Sequence, residues 1–258
     1  MKDVQNEKDH RRIPIDMVGV SRVHYPITVL DPQFKEQHTV AEVKMSVSLP
    51  ETSRGTHMSR FINMLNEYRG KITLSGMHTM TESLRKKLKA ERAEIMFKFP
   101  YFVKRKAPVS GVESMSRYDI EFQSRCDEKN FDFVLGVSVP VQTLCPCSKE
   151  ISESGAHNQR ATVDILIRMN NIVWIEELVD IAETSASSPV FTFLKREDEK
   201  YITEYAYNNP RFVEDVAREA VLQIKRCKRI DWYKVTVTSN ESIHNHDAFA
   251  TIEGSNDS

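Results

Sequence analysis

Apolar positions along this chain follow two periods that take turns. Val43, Met45, Val47 and Leu49 recur every second residue, as in a half-buried strand. After the polar loop ETSRG, the spacing changes to that of helices over about Met58 to Arg69 and Met80 to Arg92. Strand-like alternation returns at Ile95, Phe97 and Phe99 and again at Tyr118, Ile120 and Phe122, with the polar stretch Lys104 to Glu113 as a turn between them. From Phe131 the order starts afresh. Phe133, Leu135, Val137 and Val139 alternate, then Val163, Ile165 and Ile167; helices are predicted near Trp174 to Thr184 and Pro210 to Cys227, and strands at Trp232 to Thr238 and Phe249 to Ile252. Pro210 suits the first position of its helix, and Phe212, Val213, Val216, Ala217, Ala220, Val221 and Ile224 form the apolar stripe. The first thirty residues carry no motif and receive no element.

This order is a ββααββ unit read twice, which predicts two modules, residues 1–128 and 129–258. The helices come in consecutive pairs rather than alternating singly with strands. That arrangement favours an α+β fold, with antiparallel sheets and helices on one face, over a doubly wound parallel sheet. With 258 residues, 40% hydrophobic and 28% charged, the chain can bury a full core as one large domain or two small ones. A formal net charge of −1 argues against a broad nucleic-acid or membrane footprint and leaves room for a local basic pocket that meets a phosphorylated small molecule. Four cysteines are too few for a disulfide scaffold, no apolar run approaches the roughly eighteen residues of a membrane span, and the N-terminus is polar, so a reducing, cytoplasmic setting is expected.

Chemistry concentrates in the second half. Between Thr143 and Arg160 the sequence TLCPCSKEISESGAHNQR brings Cys145, Cys147 and His157 within a short stretch. Pro146 disfavours helix at the residue before it, which predicts a stiff, extended backbone for the two sulfurs, and Gly155 permits a tight turn ahead of His157. Thiolate and imidazole are ligands that zinc and similar ions prefer; two small buried cysteines and a surface histidine are the plainer reading. Near the C-terminus, His244 and His246 are two residues apart, which on a strand places both imidazoles on one face, suited to metal binding or proton transfer. A polar strand end with two solvated histidines is equally compatible with the spacing.

The segments TLCPCSKEIS, GAHNQR, SSPVFTFLKREDEK, NNPRFVEDVAR and ESIHNHDAFA, with RGTHMSRF in the first half, resemble the GTP cyclohydrolase IB family in order and spacing over nearly the whole chain. The resemblance implies a tunnelling fold of two fused ββααββ modules, a homotetramer with active sites at subunit interfaces, and conversion of GTP and water to formate and dihydroneopterin triphosphate, leading to folate and in some bacteria to queuosine-type deazapurines. It places metal ligands at Cys145, His157 and Glu199, with Glu197 and Asp198 as rivals for the last, around one Zn, Mn or Fe ion per site. Cys147, His244 and His246 take the catalytic positions. Glu214 takes that of the purine anchor, since one carboxylate accepts two hydrogen bonds from the guanine edge, and Glu241 faces the site. Lys149, Arg160, Arg54 and Arg60 are expected at the triphosphate. Three other readings compete: an archaeal-type ferrous enzyme giving a cyclic phosphate product, a tunnelling-fold nitrile reductase using NADPH and a cysteine nucleophile, and a zinc-stabilised module without catalysis.

Overall fold

Long antiparallel strands set the architecture, and the computed structural model describes residues 5, 7–68 and 71–256. The chain opens with β1 (Ile15–Asp31), β2 (Lys35–Leu49), α1 (Met58–Glu67), the two-residue β3 (Lys71–Ile72), α2 (Leu74–Lys87), β4 (Ala93–Lys106) and β5 (Glu113–Cys126). It continues with β6 (Phe131–Leu144), α3 (Pro146–Ile151), β7 (Asn158–Met169), α4 (Ile175–Ser185), the two-residue β8 (Ser188–Pro189), α5 (Arg196–Asn208), α6 (Val213–Arg226), β9 (Ile230–Asn240) and β10 (Asp247–Ser255).

By contacts the chain divides into two units: Met1–Pro100 with Ile120–Leu135, and Tyr101–Asp119 with Gly136–Ser258. In the first, β1 and β2 pair antiparallel, β2 pairs with β4, and β3 adds a short parallel edge to β1. Its core is Phe61, Met64 and Leu65 of α1 and Met77, Met80 and Leu84 of α2, buried together with Val43, Met45 and Val47 of β2 and Ile95, Phe97 and Phe99 of β4. Both periods seen in the sequence are therefore realised: every second residue of the strands and one stripe of each helix lose their water.

In the second unit the strands run in the order β10-β9-β7-β6, with β8 on β6. Val163, Ile165 and Ala161 of β7 lie opposite Val237, Val235 and Ser239 of β9. Leu178, Val179 and Ala182 of α4 and Val216, Ala217, Ala220 and Ile224 of α6 are buried, and α6 packs on β9 and β10. The predicted stripe of α6 is buried except Phe212, which is 40% exposed. A polar group inside this unit ties α4 to β4 and β5: Tyr118 Oη donates to Glu183 Oε1 at 2.5 Å, and Arg105 reaches Glu183 Oε2 at 3.1 Å and Asp180 at 2.8 Å. Burial pushes the Glu183 carboxyl above its usual range even though the Arg105 charge pulls it down.

Several elements differ from the sequence reading. β1 occupies the stretch given no element. α2 starts earlier than expected because Thr73 caps it, its hydroxyl accepting from Gly76 N at 3.1 Å. α6 starts at Val213 rather than Pro210, since Asp215 Oδ2 accepts from Phe212 N at 3.0 Å and so fixes the cap there. α5 was not expected at all. Only Asp198 and Ala206 of it are buried, so its apolar period is faint.

What holds α5 is Asp198, fully buried, whose carboxylate accepts from Lys195 N at 2.9 Å, Val109 N at 2.9 Å, Ser110 N at 2.9 Å and Ser110 Oγ at 2.6 Å. Burial alone would raise its pKa, but these donors hold the carboxyl well below its ordinary 3.8. Because the folded value lies below the unfolded one, the stabilisation is complete above about pH 4 and is lost as the pH falls further. In Asp198→Asn, an amide NH₂ would face the Lys195 N–H. The variant is expected to melt at lower temperature than the parent at pH 7, with the gap shrinking steadily below pH 4; a pH-independent gap in thermal unfolding would contradict this role.

Candidate active site

Consecutive antiparallel strands start where their neighbours stop, so in the second unit the end of β6, the start of β7, the end of β9 and the start of β10 meet at one end of the sheet. The start of α6 joins them: Arg211 N donates to Leu144 O at 3.1 Å, and Asn209 Nδ2 donates to Ala186 O and Ser187 O at 3.0 and 3.2 Å. Between these ends lies a cavity of about 500 Å³, whose lining includes Cys145, His157, Gln159, Glu214, Glu241 and His244.

Local chemistry sets each side chain. Pro146 occupies the first turn of α3, where its missing N–H costs nothing, so only Cys145 is extended (φ −67°, ψ 117°) and Cys147 is already helical. The expectation of two sulfurs on one extended backbone thus holds for Cys145 alone. Its Sγ accepts from Ser148 N at 3.4 Å. The loop returns through Gly155, whose φ of +86° is the left-handed region that glycine adopts without strain. Cys145 N then donates to His157 O at 3.1 Å, and His157 N donates to Ser148 Oγ at 3.2 Å, which fixes sulfur and imidazole beside one another.

His244 and His246 also line the cavity, on the turn between β9 and β10 rather than on a strand. Their rings stack at 5.1 Å and 20°, and His244 stands edge-on to His157 at 6.5 Å. Glu214 sits in the first turn of α6 and lines the cavity beside Arg211 and Phe212. Asp247 and Phe249 complete that wall, Phe249 with 74% of its surface exposed. The sequence does not mark Arg211, Phe212, Asp247, Phe249 or Gln159 as site residues, and reads Phe212 and Phe249 only as parts of a helix stripe and a strand, although each lies within three residues of a candidate site residue. Only the place in the fold, at strand starts and beside the start of α6, marks them.

The other expected residues lie outside this lining. Cys147 is exposed on α3. Lys149 Nζ donates to Tyr207 O at 2.5 Å and stands 4.4 Å from the Tyr207 ring centroid. Glu199 is exposed on the first turn of α5, its carbonyl accepting from Thr203 Oγ1 at 2.8 Å. Its rival Asp198 is committed to capping, and Glu197 is exposed on the same turn. Arg160 lines a separate cavity of about 400 Å³ with Gln142, Phe191 and Ile202. Arg54 and Arg60 belong to the first unit, where Arg54 is ion-paired with Glu7 and Arg60 is exposed on α1. Among the described residues, no three His, Cys, Asp or Glu side chains are grouped closely enough to hold a metal ion. Cys145 and His157 supply two donors of the right type, and the expected third is not in their cavity.

A family model described as type I GTP cyclohydrolase folE2 matches residues 1–250. The chain belongs to that family. It is 54% identical over 253 residues to the GTP cyclohydrolase FolE2 of Kosmotoga olearia, covering 98% of both chains. The FolE2 of Pseudothermotoga lettingae is 52% identical, again over 98% of each, and that of Geotalea uraniireducens 50%, over 98% of this chain and 93% of its own. Among solved structures, a urate oxidase from Bacillus sp. TB-90 matches 93% of this chain and all of its own with a TM-score of 0.55 at 12% identity. The uricase of Arthrobacter globiformis matches 92% and 93% with a TM-score of 0.53 at 10% identity. At such identities the likeness speaks for the fold alone: this member of the FolE2 family has the α+β tunnelling fold, with antiparallel strands and helices on one face.

Replacing Ser148 by alanine leaves the Cys145 contact with the residue-148 amide and removes the acceptor of the His157 amide. A loss of about 1 kcal/mol in unfolding free energy is expected, as for one net hydrogen bond. Denaturant titration checks this, and an unchanged midpoint would mean that Ser148 does not hold the loop.

Proposed function

We propose that this chain is a GTP cyclohydrolase I that converts GTP and water to formate and 7,8-dihydroneopterin triphosphate, the first step of folate synthesis. The observation that carries the reading is one cavity in which Glu214 stands with Cys145, His157, His244 and His246. Family membership supports the same activity. The narrower type IB designation rests on the sequence segments themselves, and so does the division into modules 1–128 and 129–258.

In this reading the Glu214 carboxylate accepts the N1–H and the exocyclic amino group of guanine, a pairing that adenine lacks. It lines the cavity from the first turn of α6, where the unpaired backbone N–H groups of the helix favour a negative ligand or side chain. The face of Phe212 or Phe249 can cover the purine and exclude water on one side. Cys145 and His157 are the proposed ligands of a divalent ion, Zn, Mn or Fe, with Glu199 as the third donor. Such an ion supplies Lewis-acid activation of water near neutral pH. His244 and His246, stacked at the cavity wall, deliver and accept protons at the imidazole nitrogens of the purine as the ring opens. Cys147, in the first turn of α3, is proposed to assist proton transfer. Lys149, Arg160, Arg54 and Arg60 are proposed for the triphosphate and Glu241 for the ribose side of the substrate. Sites completed at subunit interfaces of a homotetramer would reunite groups that one chain holds apart. A cytoplasmic enzyme acting without nucleic acid or membrane partners accords with the composition; among the described residues no helix is long and apolar enough to cross a membrane.

Metal-stripped protein given GTP with Zn²⁺, Mn²⁺ or Fe²⁺ should release formate and, after oxidation, a fluorescent pterin. A cyclic phosphate product would favour the archaeal-type reading, and NADPH turnover without formate the nitrile reductase. Glu214→Ala removes two charge-assisted hydrogen bonds, so kcat/KM for GTP should fall by roughly 10²-fold or more while metal content is unchanged. Equal loss of metal and substrate binding would assign Glu214 a structural role instead.

A further inference from the structure

His157 does not meet the cavity wall alone. Gln159, two residues on at the start of β7, turns to the same side, and its amide touches three groups. Gln159 Oε1 lies 2.9 Å from His157 Nδ1, Gln159 Nε2 lies 3.3 Å from Glu241 Oε1, and Ser242 Oγ lies 3.4 Å from Gln159 Oε1. These contacts leave one consistent orientation. A carboxylate only accepts hydrogen bonds, so the NH₂ of Gln159 must face Glu241. The amide oxygen then faces His157, and an oxygen can only accept, so Nδ1 of His157 must carry the proton. In the neutral ring, this contact leaves the lone pair on Nε2.

We propose that Gln159 is a positioning residue that serves two halves of the site at once: its oxygen holds His157 in the tautomer and rotation that present Nε2 as a donor to a divalent cation, and its NH₂ holds Glu241 for substrate. This rests on the reading of His157 as a metal ligand and Glu241 as a substrate contact. A hydrogen-bond acceptor on the second nitrogen is what a ligating imidazole requires, since it fixes ring orientation and raises donor strength. The two halves are separable by substitution. Gln159→Leu keeps approximate size and removes all three hydrogen bonds of the amide. Gln159→Glu keeps an acceptor for Nδ1–H and turns the donor facing Glu241 into a second carboxylate.

The test measures Zn²⁺ affinity directly, by competition with a chromophoric chelator, in the full-length protein, its Gln159→Leu and Gln159→Glu forms, and His157→Ala. Loss of an outer hydrogen-bond partner is expected to weaken Zn²⁺ binding by about 10- to 100-fold in Gln159→Leu, and Gln159→Glu should restore it to within about 3-fold of the parent. Steady-state kinetics on GTP at saturating Zn²⁺ supplies the second readout: Gln159→Glu, with metal in place, should lose about 10-fold or more in kcat/KM because Glu241 is repelled. Parent-like Zn²⁺ affinity in Gln159→Leu, beside a clear loss in His157→Ala, would overturn the positioning role while leaving His157 a ligand. Unchanged affinity in His157→Ala would overturn the ligand assignment, and the proposal with it. Failure of Gln159→Glu to restore binding would show that Gln159 supports the fold there rather than the imidazole.

Discussion

The hydrogen bond from the Cys145 amide to the His157 carbonyl, at 3.1 Å, closes the loop on which the cavity depends. Without it the strand ending at Leu144 and the strand starting at Asn158 would leave sulfur and imidazole on separate, mobile connections. With it, three further features fall into place: the cysteine caps α3, Ser148 holds the histidine amide, and Gly155 takes the positive φ that the return needs. Only a small part of this is burial energy. Most of it is backbone geometry, in which each donor of a short loop finds its acceptor.

The sheet supplies what the loop cannot. Antiparallel order brings the termini of β6, β7, β9 and β10 to one end, and α6, anchored by its apolar stripe, delivers Glu214 to the same place through the contact of Arg211 N with Leu144 O. The resulting cavity gathers carboxylates, imidazoles, and a thiol beside an imidazole, the groups that the proposed chemistry calls on. Precise placement of such groups on rigid elements, with hydrogen bonds behind them, is what lets few side chains do chemistry. The Gln159 amide contacts both His157 and Glu241, so on the proposed reading one planar group couples the metal half to the substrate half.

Much of this was legible in the sequence, for identifiable reasons. The strands and helices with strong apolar periods were visible because burial on one face dictates them, and the pairing of helices pointed to the antiparallel α+β arrangement. Cys145, His157, Glu214, Glu241, His244 and His246 share one cavity, and each stood in a short segment whose residue types were unusual together. α5 was hidden because its hold is polar: a buried Asp198 reaching the loop at Val109 and Ser110, almost ninety positions away, leaves no periodic trace. Gln159 was hidden similarly, since its partner Glu241 is 82 residues distant. Cys147, Lys149, Glu199 and Arg160 lie nearby in sequence or motif, yet helix phase and competing contacts such as the one from Lys149 to Tyr207 O direct them away from the cavity of this chain.

The most direct measurement is a crystal structure of the metal-loaded protein with a GTP analogue that resists ring opening. Guanine is expected in the cavity at the end of β6, its N1–H and amino edge on Glu214, and carbon 8 toward Cys145 and His157. A nucleotide bound elsewhere, with Glu214 facing solvent, would contradict it.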